Sequence, residues 1–348
     1  MASRGRSQRY SAKILLAALA TLGLTGMGMT IFANADLVTP LVPGAPSDIR
    51  RLAEPVQDGF AGAHTTVTDL LFLSNFAYAD WDHWLGRTIA QLDALPSQDN
   101  PFVSDPSMLT IEANMPLSYA LSAMGDWKAI DCENHVATSG FYGVAFENEA
   151  THEIVIAFRG SSNAGDYVYD LNTIALHIPM DGGNQLAEAR AFVRRVIRSH
   201  PNAKVLLTGH SLGGWLAERI SLDLYEHRFP ELPRYRFLGT ATFNAPGFQE
   251  GTYVSKQEWQ NNERGRYDKL ILNYVIVGDL IGQFETPIGA PRVYLRCDIL
   301  RGTDTVNPFM THPLYNFFFT DYFEAREGTD HLPPVQRAAV SRLRRNTT

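Results

Sequence analysis

Cysteine is scarce in this chain of 348 residues, which contains only Cys132 and Cys297. Two cysteines allow one disulfide at most, so a small fold held together by several disulfides is excluded. Whether the two thiols pair or remain separate and buried stays open, because separation along the chain does not give separation in space.

Motifs that would define other classes of protein are missing as well. The sequence has no phosphate-binding loop, no dinucleotide-binding fingerprint and no internal repeat. His152 and Glu153 begin a His-Glu pair, but no second histidine follows at helical spacing, which argues against a zinc peptidase. We therefore expect neither a metal ion nor an organic cofactor.

Positive charge is in the minority, with 30 lysines and arginines against 37 aspartates and glutamates and a formal net charge of −7. Four of the cations, Arg4, Arg6, Arg9 and Lys13, lie within the first 35 residues, where no acidic residue occurs. Removal of residues 1–35 would therefore change the net charge from −7 to −11. A chain with this net negative charge is a poor candidate for nucleic-acid binding, and the charge also argues against dependence on anionic lipid surfaces.

The N-terminal segment has the pattern of a secretory signal peptide. After the basic head, residues 14–32 are uncharged and rich in apolar and small side chains, and Ala33-Asn34-Ala35 follows as a small-residue cleavage site. We predict that residues 1–35 are a signal peptide and that the protein is secreted, periplasmic or bound to the cell envelope. The alternative is an uncleaved membrane anchor, since the apolar run is close to the roughly 18 residues that span a bilayer.

Two further regions follow the leader. We predict that residues 36–110 are a linker and a helical N-terminal extension, because residues 36–55 carry four prolines and residues 66–85 have helix-like apolar spacing. Residues 111–348 are predicted to form the main domain. Within it, residues 116–130 are expected to be helical.

From residue 140 onward, strand-like and helix-like segments alternate. Predicted strands are residues 141–147, 153–158, 204–208, 237–243, 270–277 and 292–296, and predicted helices are residues 185–199 and 212–227. Such alternation predicts an α/β fold with a mostly parallel central sheet flanked by helices.

The segment Gly209-His210-Ser211-Leu212-Gly213 lies between a predicted strand and a predicted helix. A serine in this strand–turn–helix setting is typical of a nucleophile elbow, in which the sharp turn lifts the hydroxyl above the sheet. Gly209 and Gly213 leave room where a Cβ would collide with the neighbouring strand and helix. We predict that Ser211 is the nucleophile and that the backbone N–H of Leu212 stabilises an oxyanion.

Two segments, residues 208–217 and residues 156–162 with their Phe-Arg-Gly-Ser sequence, point to a known family. They resemble the nucleophile segment and the strand followed by an oxyanion loop of the fungal-type, class 3 lipases. Residues 167–171 and 244–246 are similar to two further segments, and the resemblance covers roughly residues 115–320. It implies an α/β-hydrolase fold, a lipid or other carboxylic ester as substrate, and transient contact with a lipid interface. Alternatives are a phospholipase, a short-chain esterase or thioesterase, and a non-catalytic envelope protein that binds through the same fold.

A serine nucleophile needs a histidine base and a carboxylate that orients it, and in this fold both follow the serine in the chain. Three histidines follow Ser211, and of these His227 is interpreted as a solvated residue at a helix end. Between the other two we favour His312, which opens an aromatic segment, over His331, which the family pattern Asp-His-Leu supports.

The acid is predicted to be Asp279, because it follows the predicted strand 270–277, where this fold places its carboxylate. Asp298 is the alternative. The oxyanion hole is predicted to combine the backbone N–H groups of Leu212 and Ser161, with Asp170 supporting the Ser161 loop. Residues 164–183 are interpreted as a short lid with an apolar face.

Overall fold

The computed structural model describes residues 59–104, 121, 123–160, 184–279, 281–297 and 311–320. The predicted signal peptide, the proline-rich linker and the predicted lid lie outside these residues. The same is true of four residues with predicted roles, namely Ser161, Asp170, Asp298 and His331. Where the chain is described, no helix is long and apolar enough to cross a membrane.

Seven strands form one sheet in the order of the sequence. The first three strands are antiparallel to one another, and every pair from β3 to β7 is parallel. The strands are β1 (Trp127–His135), β2 (Phe141–Asn148), β3 (Glu153–Phe158), β4 (Lys204–His210), β5 (Arg236–Phe243), β6 (Ile271–Ile276) and β7 (Val293–Leu295). The predicted mostly parallel α/β sheet is confirmed.

Helices cover both faces of this sheet. The described α-helices are α1 (Val67–Phe76), α2 (Ile89–Asp93), α3 (Pro101–Ser104), α4 (Asn184–Ser199), α5 (Leu212–Tyr225) and α6 (Lys256–Glu263), and a 3-10 helix spans Leu314–Phe319. Side chains of β3 alternate between two hydrophobic clusters: Val155 packs in the cluster that contains α1, and Ile154 and Ile156 pack in the cluster that contains α4 and α5. The central strands are apolar throughout because both faces are covered.

The N-terminal extension is part of the core. Helix α1 begins with a capping box between Thr66 and Asp69, and most of its side chains are buried against the sheet. The carboxylate of Glu153, fully buried at the start of β3, accepts hydrogen bonds from the backbone N–H groups of His64 and Thr65 and from the Thr65 hydroxyl. These contacts attach the chain before α1 to the sheet.

Two helix predictions need correction. The helix expected over residues 66–85 ends at Phe76, because the chain turns back and the Trp81 indole N–H donates to the Phe76 carbonyl at 2.8 Å. The helix expected over residues 116–130 is wrong from Trp127 onward, where β1 begins. Pairing with β2 determines the structure of that segment, a long-range effect that local apolar spacing does not contain.

The two cysteines do not form a disulfide with each other. Cys132 lies on β1 and Cys297 follows β7, at opposite edges of the sheet. Six inter-strand spacings of about 4.8 Å separate these edges by roughly 29 Å, whereas a disulfide requires Cα atoms within about 7 Å. The two cysteines are therefore separate, as the alternative has it, but only Cys297 is buried and Cys132 is partly exposed.

Candidate active site

Ser211 occupies a strained turn between β4 and α5. Its backbone has φ 57° and ψ −129°, a region that residues with a side chain rarely adopt. The turn is held by two backbone hydrogen bonds, from Ser211 N–H to the Phe243 carbonyl at 3.0 Å and from Trp215 N–H to the Ser211 carbonyl at 3.1 Å. The sequence prediction of a strand–turn–helix elbow at this serine is confirmed in its geometry.

The two glycines of the elbow allow the strand and the helix to approach closely. A Cβ on Gly209 would lie 2.3 Å from the Gly213 carbonyl carbon, and one on Gly213 would lie 2.1 Å from the Phe158 carbonyl oxygen. Both distances are far below van der Waals contact, so neither position accepts a larger residue without movement of the backbone.

Helix α5 begins directly at the elbow. Ser211 is its N-cap residue, yet the Ser211 side chain makes no capping hydrogen bond. The first N–H groups of a helix carry partial positive charge and favour a nearby anion. Leu212 is the first residue of α5, so its N–H is one of these groups.

Asp279 and His312 form a buried hydrogen-bonded pair. Asp279 lies three residues beyond the end of β6 and is fully buried. Its Oδ2 is 2.7 Å from Nδ1 of His312, and its Oδ1 accepts a hydrogen bond from the backbone N–H of Gly282 at 2.6 Å. The carboxylate is thereby fixed in the orientation that holds a proton on Nδ1 and leaves Nε2 as the basic nitrogen.

The backbone of His312 is held as firmly as its ring. Its carbonyl oxygen accepts hydrogen bonds from the Asn244 side-chain amide at 2.9 Å and from Nε2 of His210 at 2.8 Å. Asn244 follows β5, and its side-chain oxygen accepts from the backbone N–H of Ile276 at the end of β6. One amide side chain therefore ties the ends of two strands to the His312 backbone.

His210, the residue before the serine, also contacts the N-terminal extension. Its Nδ1 lies 2.7 Å from the hydroxyl oxygen of Tyr78, and its ring centroid is 4.7 Å from that of His312. Burial lowers the pKa of His210, and the proximity of His312 lowers it further. The residue is consequently neutral at physiological pH.

Comparison with known proteins finds a family match that includes the elbow. Residues 155–285 match the model of the lipase (class 3) family. The resemblance to the class 3 lipases is confirmed. The lipase of Rhizomucor miehei is 34% identical to this chain over 85 residues, which cover 21% of this chain and 23% of that protein. The chain thus matches less than a quarter of the length of this curated relative.

Solved lipase structures overlap the chain only in part. A propeptide complex of the Rhizomucor miehei lipase has a TM-score of 0.35 at 20% identity, covering 54% of this chain and 53% of that one. A lipase from Yarrowia lipolytica has a TM-score of 0.40 at 13% identity, covering 66% and 76%. The α/β-hydrolase fold of this chain is instead evident from its own strand order and elbow.

The class 3 lipase match includes some of the predicted site and excludes the rest. Ser211, Leu212 and Asp279 lie inside residues 155–285, whereas His312 lies beyond them. Among the remaining candidates, His227 is exposed at the end of α5, as the sequence predicted. No group of three histidine, cysteine, aspartate or glutamate residues that could hold a metal ion occurs in the described parts of the chain.

Two contributors to the site had no predicted role. Tyr78 lies in the extension, 133 positions before Ser211, and no motif marks it. Asn244 was part of the resemblance to the class 3 lipases, but its sequence context gives no sign that it would reach His312. A polar residue at a strand end, one residue past β5, is the signal that would have drawn attention to it.

Proposed function

We propose that this protein is an exported serine hydrolase that cleaves the carboxylic esters of lipids through Ser211, His312 and Asp279. The observation that carries the proposal is the 2.7 Å hydrogen bond between Asp279 and His312, two residues that follow the elbow in the chain order of a hydrolase triad. A buried carboxylate that orients a histidine is the arrangement that activates a serine hydroxyl. His312 is joined to the residue before Ser211, because Nε2 of His210 lies 2.8 Å from the His312 carbonyl oxygen.

The proposed reaction proceeds in two halves. Ser211 Oγ attacks the ester carbonyl carbon while His312 Nε2 accepts the hydroxyl proton, giving a tetrahedral oxyanion and an imidazolium oriented by Asp279. Collapse breaks the bond to the alcohol, which leaves with the proton from His312. Water then attacks the acyl-enzyme, again delivering its proton to His312, and the carboxylic acid is released with Ser211 restored. No metal or organic cofactor takes part.

The oxyanion would be stabilised by the N–H of Leu212 at the start of α5, supported by the partial positive charge of the helix terminus. Ser161 is proposed as the second donor. Gly160 lies directly before it, and a Cβ on Gly160 would come within 3.1 Å of the Ser211 Cβ, so the loop leaves β3 next to the nucleophile. Asp170 is proposed to support that loop.

The family match supports lipids as the substrate class, because the class 3 model and the Rhizomucor miehei relative are both named as lipases. Transient contact with a lipid interface is part of this proposal. The acidic composition gives no support for a nucleic-acid partner.

A fluorophosphonate probe tests the nucleophile. The wild-type protein should be labelled, and Ser211→Ala should abolish both labelling and hydrolysis of an ester. Absence of labelling in the folded wild-type protein, or labelling that persists in Ser211→Ala, would refute the hydrolase and favour a non-catalytic binding protein.

The base is tested by two parallel variants. We expect His312→Ala to lower kcat by roughly 10⁴-fold or more, and His331→Ala to retain activity. The opposite result would assign the base to His331.

The substrate class is tested separately. A series of ester substrates with increasing acyl length, together with a phospholipid and a thioester, would distinguish a lipase from the alternative hydrolases.

Export is tested on the protein recovered outside the cytoplasm. Mass spectrometry of its N-terminus should show a chain that begins at Asp36. An intact leader in membrane fractions would instead indicate an anchor.

A further inference from the structure

The N-terminal extension reaches the candidate active site through Tyr78, which lies two residues past the end of α1. Its hydroxyl oxygen is 2.7 Å from Nδ1 of His210. The same oxygen lies against Gly160, the last described residue of the predicted oxyanion loop, where an added Cβ would come within 2.7 Å of it. Tyr78 therefore contacts both the strand that leads to Ser211 and the start of that loop.

The hydrogen bonds fix which nitrogen of His210 carries the proton. Nε2 lies 2.8 Å from the carbonyl oxygen of His312, and a carbonyl oxygen only accepts, so the hydrogen is on Nε2. A neutral imidazole then has Nδ1 as an acceptor, and the hydroxyl of Tyr78 is its donor. Burial lowers the pKa of His210 and raises the pKa of Tyr78, which keeps the first neutral and the second protonated.

We propose that Tyr78 is a positioning residue: its hydroxyl donates to Nδ1 of His210 and holds the ring in the orientation in which Nε2 donates to the His312 backbone, and thereby aligns His312 with Ser211. This inference rests on the proposed function. Without the hydroxyl, Nδ1 of the buried ring loses its donor. The ring would then keep only one of its two hydrogen bonds, and its alignment with the His312 carbonyl would weaken.

Loss of the Tyr78 hydroxyl should lower the catalytic rate and leave substrate binding unchanged. The His312 carbonyl keeps its hydrogen bond from Asn244, so the segment stays folded when the donor from His210 is lost. The ring of His312 would lose part of its alignment between Asp279 and the nucleophile. A small displacement of a general base lowers the rate of proton transfer, while the acyl-binding surface is unchanged.

A double-mutant cycle tests the mechanism. We expect Tyr78→Phe to lower kcat by about tenfold, the equivalent of one hydrogen bond, with KM nearly unchanged. In His210→Gln, the ring that Tyr78 anchors is absent, so the kcat of this variant is the reference for the second half of the cycle. In the His210→Gln background, Tyr78→Phe should therefore have little further effect. An equal loss of kcat in both backgrounds would overturn the proposal, because removal of a purely structural hydroxyl would lower kcat in either background.

A matched control is Tyr142→Phe. The hydroxyl of Tyr142 also bonds the extension, accepting from the backbone N–H of Trp81 at 2.8 Å, but it does not contact His210. This variant should retain the kcat of the wild-type protein. A tenfold loss in Tyr142→Phe would indicate that any weakened attachment of the extension lowers activity, and would overturn a specific role for Tyr78.

The tautomer is also measured directly, whatever the activity. In ¹⁵N-histidine-labelled protein, the resonances absent from His210→Gln identify His210. The wild-type protein should show a non-protonated Nδ1 and a protonated Nε2, and Tyr78→Phe should shift this pattern. A proton on Nδ1 in the wild-type protein would overturn the proposal even if Ser211 is labelled by the fluorophosphonate. Loss of labelling with the expected tautomer would refute the proposed function alone.

Discussion

The side-chain amide of Asn244 lies 2.9 Å from the carbonyl oxygen of His312 and so joins the end of β5 to the segment that carries the proposed base. Its oxygen accepts from the N–H of Ile276 at the end of β6, three residues before Asp279. One residue therefore contacts both the backbone of the proposed base and the end of the strand that precedes the proposed acid.

Asn244→Gly is expected to lower kcat by about tenfold or more, because the variant removes a donor to the His312 backbone and an acceptor for the N–H of Ile276. Glycine is chosen since Asn244 has φ 49°, a backbone conformation that alanine would strain. Steady-state kinetics check the prediction. Asn202→Gly is the matched control: Asn202 also has positive φ, 65°, but is exposed, and it should leave kcat unaltered.

Gly213→Ala should destabilise the protein by more than about 3 kcal/mol or prevent soluble expression, since its Cβ would meet the Phe158 carbonyl oxygen at 2.1 Å. The free energy of unfolding in urea measures the effect. Gly251→Ala, at a position with open space but φ +86°, should cost only about 1 kcal/mol. Equal effects of the two substitutions would contradict a steric cause at the elbow.

Glu153→Gln should loosen the N-terminal extension. The carboxylate accepts three hydrogen bonds, from His64 and from two groups of Thr65. In glutamine, an NH₂ group replaces one of the two accepting oxygens, and this group cannot accept a hydrogen bond from the donors that face it. We expect a loss of about 2 kcal/mol in the free energy of unfolding, with faster hydrogen exchange in α1. The exposed Glu149→Gln is the control and should change neither quantity.

The buried Glu218 on α5 predicts a pH dependence of stability. Burial raises its pKa from the usual 4.5 to about 8, although the Ile288 N–H, Arg292 and Thr242 act in the opposite direction. Between pH 4.5 and pH 8 the unfolded chain ionises Glu218 while the folded protein does not, so this residue costs stability as the pH rises through that window.

The Glu218→Gln variant should remove this cost. Compared with the wild-type protein, it should have similar stability at pH 4.5 and be more stable by a few kcal/mol at pH 8.5, since a pKa raised from 4.5 to about 8 is worth up to roughly 5 kcal/mol. Urea unfolding at the two pH values provides the measurement. A difference between variant and wild type that does not change with pH would contradict the raised pKa.

Much of the fold could be predicted because its determinants are local. The strands β2 to β6 and the helices α4 and α5 were expected nearly within their observed bounds, since strands buried on both faces are continuous apolar runs and α4 has clear helical periodicity. The prediction failed at β1, where pairing with β2 overrides the local spacing. It also did not anticipate that α1 packs on the sheet as part of the core.

The sequence by itself determined the turn at Ser211. The steric constraints of that turn act on residues adjacent in the sequence, and they require glycine at positions 209 and 213. It also supplied Asp279 and His312 as candidates through chain order. That these two meet at 2.7 Å, 33 positions apart, was decided by the tertiary structure. The same holds for Tyr78 and Asn244, which reach His210 and His312 only because the fold brings distant chain segments together near the carboxyl ends of the parallel strands. Hydrogen bonds between residues so far apart in sequence leave no periodicity or spacing from which they can be read.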